Sequence, residues 1–285
     1  MVNKTILITG ANRGLGLMLA ITFIKKNYST ILCSKNFKNF NKEIKKYKNL
    51  DTSKIHYINS DISRYKDILK VKNYLKNKIQ KIDVLIDNAA LIGPIGEFEK
   101  NNHKDLVKTI ETNLYGSINM IKIILPFLKK SKKGKIIQIS GGGASGPFPH
   151  FSAYAISKVA IVRFVETISI ELKKYNIDAN CVAPGNLKTN IQRNVIKAGK
   201  KAVGNEYYKK NNKMMNNKKD DFSKPIKLIE FLISDKSDGI TGKLISAVWD
   251  NWKIFKKYKK KLKDNDIFTL RRIIGRERNF KIGDK

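Results

Sequence analysis

The stretch ILITGANRGLGLMLAITFI (residues 6–24) opens with three apolar residues, turns through glycines at positions 10, 14 and 16, and continues with apolar residues at helical spacing. A strand that passes through a glycine-rich turn into a helix is suited to wrapping a phosphate. Residues without a Cβ permit the tight turn and the close approach of a pyrophosphate, and the helix start offers N–H groups with no partner of their own. The turn alone names neither a cofactor nor a reaction, so the rest of the chain must supply both.

Composition bounds the answer. With 285 residues, 41% of them hydrophobic, the chain can bury the core of one large α/β domain. No run of eighteen or more uncharged apolar residues occurs, so no transmembrane helix is expected. The start, MVNKTILITG, lacks the apolar stretch and cleavage site of a secretory signal, and a cytoplasmic location is expected. The formal charge is +34, yet only eight of the 58 basic residues are arginine, and the lysines are scattered with many asparagines and isoleucines, a pattern that an AT-rich genome tends to encode. A nucleic-acid footprint concentrates its cations and interleaves stacking aromatics, so nucleic-acid binding is not the expected function. Cys33 and Cys181 both fall in strand-like runs and read as small buried hydrophobes; no metal site is expected.

Strand-like and helical patterns alternate along the chain. After the first strand, STILCS, KIHYIN, DVLIDNA, KIIQIS, IDANCVAPG and, near the end, GKLISAV read as strands. Helical patterns cover residues 41–48, 64–80, 102–130 and 152–175, and PIKLIEFLIS. Repeated βα units with apolar strands predict a doubly wound parallel sheet covered by helices on both faces, in a single domain over residues 1–248. Residues 186–224 are polar and lysine-rich with few apolar anchors, which predicts a substrate lid or a mobile insertion. Residues 249–285 form a basic tail with seven lysines in positions 253–263; Ile254, Tyr258 and Leu262, four apart, predict an amphipathic helix with a solvated cationic face, or a contact with a membrane surface or an acidic partner.

The glycine spacing TGxxxGxG, met by Thr9, Gly10, Gly14 and Gly16, resembles the classical branch of the short-chain dehydrogenase/reductase family; the extended branch spaces its glycines differently. The resemblance runs over residues 3–248. It implies a Rossmann-type sheet of seven strands in the order 3-2-1-4-5-6-7, which would separate Cys33 from Cys181 by about 19 Å and exclude a disulfide. It implies a cofactor-binding set of Gly10, Asn12, Arg13, Gly14, Leu15, Gly16, Ser34, Lys35, Asp61, Ile62, Asn88, Ala89, Tyr154, Lys158, Pro184, Gly185 and Thr189. Within DNAA (residues 87–90), Asn88 and Ala89 match the family's NNAG, whereas Asp87 replaces an asparagine and Ala90 a glycine. NAD-preferring members usually carry an acid at the end of strand two; here ILCSKN ends in Ser34 and Lys35, and Arg13 adds a second cation. A 2′-phosphate wants such charge-assisted partners, so NADP(H) is favoured over NAD(H), which stays open.

Tyr154 and Lys158 in SAYAISK are four apart, which puts both on one helical face. A neighbouring ammonium stabilises a phenolate and brings the tyrosine towards a useful proton affinity. Ser140 closes the strand KIIQIS and Asn113 lies in TNLYG. The resemblance implies that Asn113, Ser140, Tyr154 and Lys158 form the catalytic tetrad. Ser140 and Tyr154 would bond the carbonyl oxygen and Tyr154 would give the proton as NADPH supplies the hydride. Lys158 would lower the tyrosine pKa and bind the nicotinamide ribose, and Asn113 would connect the lysine to solvent through a water. Phe148, His150 and Phe151 would line the substrate pocket with Ser140 and Tyr154. The expected function is oxidoreduction of a carbonyl or alcohol substrate, with a homo-oligomer implied by family analogy. The tail is similar to extensions on family members tied to surface-polysaccharide synthesis, which points to a sugar derivative. A 3-oxoacyl-carrier-protein reductase, or a non-catalytic nucleotide-binding protein that uses its charge on nucleic acid or membrane, are the alternatives.

Overall fold

In the computed structural model, which describes residues 4–48, 50–217, 222–263 and 265–280, all seven predicted strands form. They are β1 (Thr5–Thr9), β2 (Ser29–Ser34), β3 (Ile55–Asn59), β4 (Val84–Asp87), β5 (Gly134–Ile139), β6 (Ile177–Ala183) and β7 (Leu244–Ser246). They pair in the order β3-β2-β1-β4-β5-β6-β7, every pair parallel. Strand order reverses between β1 and β4, and the crevice outside the carboxyl ends of those strands is where such a sheet binds ligands.

Side chains alternate across the sheet as a two-residue period requires. Ile6 and Ile8 of β1 join one core layer with α1 (Gly14–Lys25) and α9 (Ser223–Leu232). Leu7 joins the opposite layer with α3 (Tyr65–Lys78), α5 (Gly116–Leu128) and α6 (Ser152–Leu172). Cys33 and Cys181 are buried and free, with three strands between theirs in the sheet. At the amino-terminal edge of the sheet the buried Lys135 pairs with Asp178 (2.6 Å) and Asp238 (2.9 Å), tying β5 to β6 and to the turn before β7.

Three segments differ from the sequence expectation. The pattern over 102–130 reads as one helix; the chain forms α4 (His103–Ile110) and α5 with a wide π-helical turn, Glu111–Tyr115, between them. Such turns insert one residue into the helical ladder and re-aim a side chain, here Asn113. The polar segment after β6 holds two helices, α7 (Asn190–Val203), bent at Gly199 (φ +82°), and α8 (Asn205–Asn216). Val195 and Val203 anchor α7 in the core. Residues 218–221 of the expected lid lie outside the described residues.

The basic tail packs against the sheet domain. Trp252 and Phe255, three apart in a 3₁₀ segment (Trp252–Tyr258), and Leu262 of α10 (Lys259–Lys263) are buried, while Ile254 and Tyr258 are 40% and 47% exposed. The predicted Ile254–Tyr258–Leu262 stripe is therefore corrected to Trp252–Phe255–Leu262, because the segment starts with three residues per turn and only Leu262 is shared. The chain then returns along the outer edge of β7, where the Leu244 N–H donates to the Phe268 carbonyl (2.7 Å) and Lys243 Nζ to the Asn265 carbonyl (2.7 Å). Residues 1–3, 264 and 281–285 lie outside the described residues, and no described helix is long and apolar enough to cross a membrane.

The tail's anchoring is testable. Phe255→Ala should lower stability by about 3 kcal/mol in denaturant titration, and Ile254→Ala by less than about 0.5 kcal/mol. Equal effects would mean that the tail is docked through the other face.

Candidate active site

The glycine turn closes on itself. Gly10 (φ +67°) adopts a conformation that side chains disfavour, and its N–H donates to the Cys33 carbonyl (2.8 Å), fixing the turn to the end of β2. A Cβ on Gly16 would lie 2.4 Å from the Gly10 carbonyl oxygen and 2.5 Å from Asn88 Nδ2, so the start of α1 can approach the turn only as glycine. Across the crevice, Asn88 Nδ2 donates to the Thr9 carbonyl (3.1 Å), and the Thr9 hydroxyl accepts from the N–H groups of Asn88 (2.9 Å) and Ala89 (3.0 Å). Thr189 overhangs the turn, 3.2 Å from where a Cβ of Gly14 would sit.

A cleft of about 1180 Å³ opens over this edge. Its walls include Gly10, Asn12, Arg13, Gly14, Leu15, Ser34, Lys35, Asp61, Ile62, Asn88, Ala89, Pro184, Gly185 and Thr189, so of the sequence-derived cofactor set only Gly16 lies behind the lining. No carboxylate stands at the end of β2. Arg13 and Lys35 are exposed there, and Lys35 Nζ pairs with Asp61 Oδ2 (2.6 Å). Burial opposes ionisation of Asp61, but hydrogen bonds from Lys35 and Ser63 hold its carboxyl below the usual range. Asn36, which sequence reasoning passed over, accepts from Asn12 Nδ2 (3.0 Å), and Asn12 Oδ1 accepts from the Phe40 N–H (3.0 Å); the dipeptide after Ser34 was its only signal.

Tyr154, Lys158 and Ser140 meet in the same cleft. Lys158 Nζ donates to the Ile139 carbonyl (2.8 Å) and lies 5.4 Å from the centre of the Tyr154 ring. Burial pulls the Lys158 ammonium down to about 8, with the nearby Asp87 acting in the opposite sense. Burial pushes the Tyr154 phenol up, which keeps it protonated. The Ser140 hydroxyl is buried and bonds to no described group. Asn113 stands behind the lining: its Oδ1 accepts from the Leu91 N–H (2.8 Å), and its Nδ2 donates to the Leu91 carbonyl (2.8 Å) and to Ser157 Oγ (3.0 Å). Ser157 Oγ donates in turn to the Tyr154 carbonyl (2.7 Å), a link that the sequence held only as the serine before Lys158.

Of the predicted substrate residues, Phe148 lines the cleft. Phe151 is buried behind it, the two rings stacked 4.4 Å apart, and His150 (φ +69°) is outside the lining. Tyr207 of α8 packs edge-on against Phe148 (5.5 Å) and Phe151 (5.3 Å), a residue that nothing in its lysine-rich surroundings had marked. Gln192 also lines the cleft, with a buried Oε1 that bonds to no described group.

A dinucleotide fits these residues: the glycine cradle excludes a Cβ, helix α1 begins at the turn, and cations flank the adenosine end. A family model described as short chain dehydrogenase matches residues 4–200. The chain belongs to the short-chain dehydrogenase family. It is 28% identical to the oxidoreductase YtkK of Bacillus subtilis (strain 168) over 85% of this chain and 93% of that one. It is 26% identical to 11-beta-hydroxysteroid dehydrogenase A of Sesamum indicum over 70% of this chain, and the match spans only 57% of that relative. The crystal structure of the short-chain dehydrogenase/reductase YIR035C of Saccharomyces cerevisiae superposes with a TM-score of 0.76 at 25% identity, covering 87% of this chain and 97% of that one. This short-chain dehydrogenase is accordingly an NAD(P)-dependent oxidoreductase.

A Cβ on Gly141 would lie 2.4 Å from Tyr154 Oη. Gly141→Ala should therefore displace the hydroxyl and lower turnover at least about 100-fold, the scale of a lost acid–base group, with NADPH affinity unchanged by fluorescence titration. Wild-type turnover in that variant would mean that the hydroxyl does not act from this position.

Proposed function

We propose that this short-chain dehydrogenase reduces an apolar ketone or aldehyde with NADPH, the alcohol oxidation being the reverse of the same path. The observation that carries the reading is the buried, unbonded Ser140 hydroxyl in one cleft with Tyr154 and Lys158. The cofactor supplies the hydride equivalent when bound; the chain's own groups do the rest. Ser140 Oγ donates to the substrate carbonyl oxygen and fixes its direction. Tyr154 Oη, kept protonated by burial, gives its proton to that oxygen as charge develops on it. Lys158, as an ammonium, offsets the phenolate left behind. Asn113 holds the Leu91 backbone and, through Ser157, the backbone of Tyr154, and so keeps the donor in place.

The wall beside Tyr154 supports the apolar substrate class. Ile92, Phe148, Ile191 and Tyr207 line it, all part of an apolar cluster with Phe151, Val195 and Val203. A sugar derivative, to which the tail's resemblance points, needs a partner for each hydroxyl. The aromatic wall instead favours an aryl or alkyl ketone, in keeping with a relative named for a hydroxysteroid. Preference for NADPH rests on Arg13, Lys35 and the absence of a carboxylate after β2. A second copy of the chain would pack on α4 to α6, where Val107, Tyr115, Ile156 and Val159 are exposed.

Tyr154→Phe should bind NADPH normally and lose turnover by about 100-fold or more. In an NADPH-oxidation screen, aryl and alkyl ketones should outpace keto-sugars and acyl thioesters. Replacing NADPH by NADH should lower kcat/KM about tenfold or more, and the Arg13→Ala/Lys35→Ala double variant should remove that difference. Faster turnover of keto-sugars would reverse the substrate assignment, and equal use of the two cofactors the cofactor assignment.

A further inference from the structure

Helix α7 starts over the glycine turn. Its N-cap, Thr189, lies 3.2 Å from where a Cβ of Gly14 would sit, and Val195 packs in the apolar cluster that holds Tyr154 and Phe151. Gln192 falls between them, on the same buried face of the helix as Val195. It lines the cleft and is only 8% exposed, whereas Asn186 and Asn194, which line it too, are exposed.

Burying a carboxamide destabilises a fold unless its polar atoms find partners. Gln192 Oε1 bonds to no described group. Among the described residues, the cleft-lining side chains with a buried oxygen of this kind are Ser60, Ser140 and Gln192. The Ser60 hydroxyl faces the Cys33 thiol, next to Asp61. Ser140 has the substrate carbonyl assigned to it above. The amide of Gln192 answers to neither need.

Its polarity says what it would take. An amide oxygen accepts hydrogen bonds, so it is satisfied only by a donor. The carbonyl being reduced is an acceptor, and Ser140 and Tyr154 are the donors that meet it. A ligand that satisfies all three groups carries a carbonyl and, apart from it, a hydroxyl or N–H group. We propose that Gln192 is a specificity-determining residue whose amide selects carbonyl compounds bearing such a donor on the part that lies under α7. The assignment rests on the carbonyl-reductase reading given above and narrows its substrate class. The aromatic wall of Phe148 and Tyr207 takes the apolar body of the ligand, and Gln192 takes the one polar group that body bears. An analogue without the donor leaves the buried oxygen unpaired, which is rejected far more strongly than a small change of size in an apolar pocket.

Acetophenones with a hydroxyl or a methyl group at the meta or para position are matched probes, since the two substituents are close in size. They are compared below about pH 7, where the phenols keep their protons. The wild type should favour hydroxyl over methyl in kcat/KM with NADPH by about tenfold or more in at least one of the two positions. Gln192→Met keeps the length of the side chain and removes the amide, so that ratio should fall to about one. NADPH affinity by fluorescence titration should stay at the wild-type value, which also reports a folded variant. Dissociation constants of the same ketones on the NADP⁺ complex, where no reduction can occur, read the selectivity without turnover. The proposal is overturned by the absence of a hydroxyl preference at both positions, or by a preference that survives Gln192→Met. A loss of NADPH affinity as large as the loss of selectivity also overturns it, because the amide would then serve the cofactor. A binding preference that Gln192→Met removes, in a protein that reduces none of the ketones, upholds the subsite while removing the assigned reaction.

Discussion

A single hydroxyl group, that of Thr9, holds the two halves of the nucleotide crevice together. β1 and β4 lie side by side in the sheet but lead to connections that run in opposite directions, so their carboxyl ends must part to admit a ligand while keeping a fixed distance. Thr9 Oγ1 accepts the N–H groups of Asn88 and Ala89 and donates to Asp87, so all its bonding capacity is spent across the gap. Asn88 returns the bond to the Thr9 carbonyl, and its amide then occupies the space where a Cβ of Gly10 or Gly16 would fall. The threonine, the asparagine and two of the glycines are thus one packing solution. Change any of them and the turn that receives the phosphates loses its backing.

The burial of charge follows the same geography. At the amino-terminal edge of the sheet, and under the tail, buried ions sit against their counter-ions or backbone dipoles. These arrangements hold elements together and ask nothing further. At the carboxyl edge, Asp87 Oδ1 accepts from Thr9 and Lys158 Nζ donates to the Ile139 carbonyl, while Ser140 Oγ bonds to no described group. Groups of that kind destabilise a fold, because each loses water without an equivalent return. A buried, unbonded hydroxyl beside Tyr154 and Lys158 in the cleft is what a site prepared for a ligand's polar atom looks like.

The alternation of strand-like and helical patterns made the parallel sheet legible, and the family resemblance carried by the glycine spacing supplied its strand order and the expectation that Asn113, Ser140, Tyr154 and Lys158 act together. The tail was legible in part. Its apolar residues were visible, but a four-residue period selected Ile254 and Tyr258, where the 3₁₀ segment buries Trp252 and Phe255. The π-helical turn at Asn113 left no trace in the periodicity of residues 102–130, because one inserted residue does not disturb an apolar face over so short a run. Tyr207 and Gln192 were illegible for another reason: α7 and α8 lie over the cleft through a few anchors such as Val195 and Val203, too sparse a signal among so many lysines.

That difference in legibility has a physical root in how the two walls of the cleft are built. The wall beside the glycine turn is made by strand ends and their turns, held by backbone hydrogen bonds across β2, β1, β4 and β5. The substrate wall is made by side chains of α7 and α8 resting on Phe148 and Phe151, with positive-φ glycines at 199 and 204 setting the course of the helices. Neither glycine would bring a Cβ into hard contact, so their conformation answers to the path of the chain and not to crowding. A substitution in α7 or α8 can therefore reshape the aromatic wall without moving Ser140, Tyr154 or Lys158. On the proposed reading, the reacting groups are held by the end of β5 and by α6, and the choice of substrate falls to the helices α7 and α8 laid over the cleft.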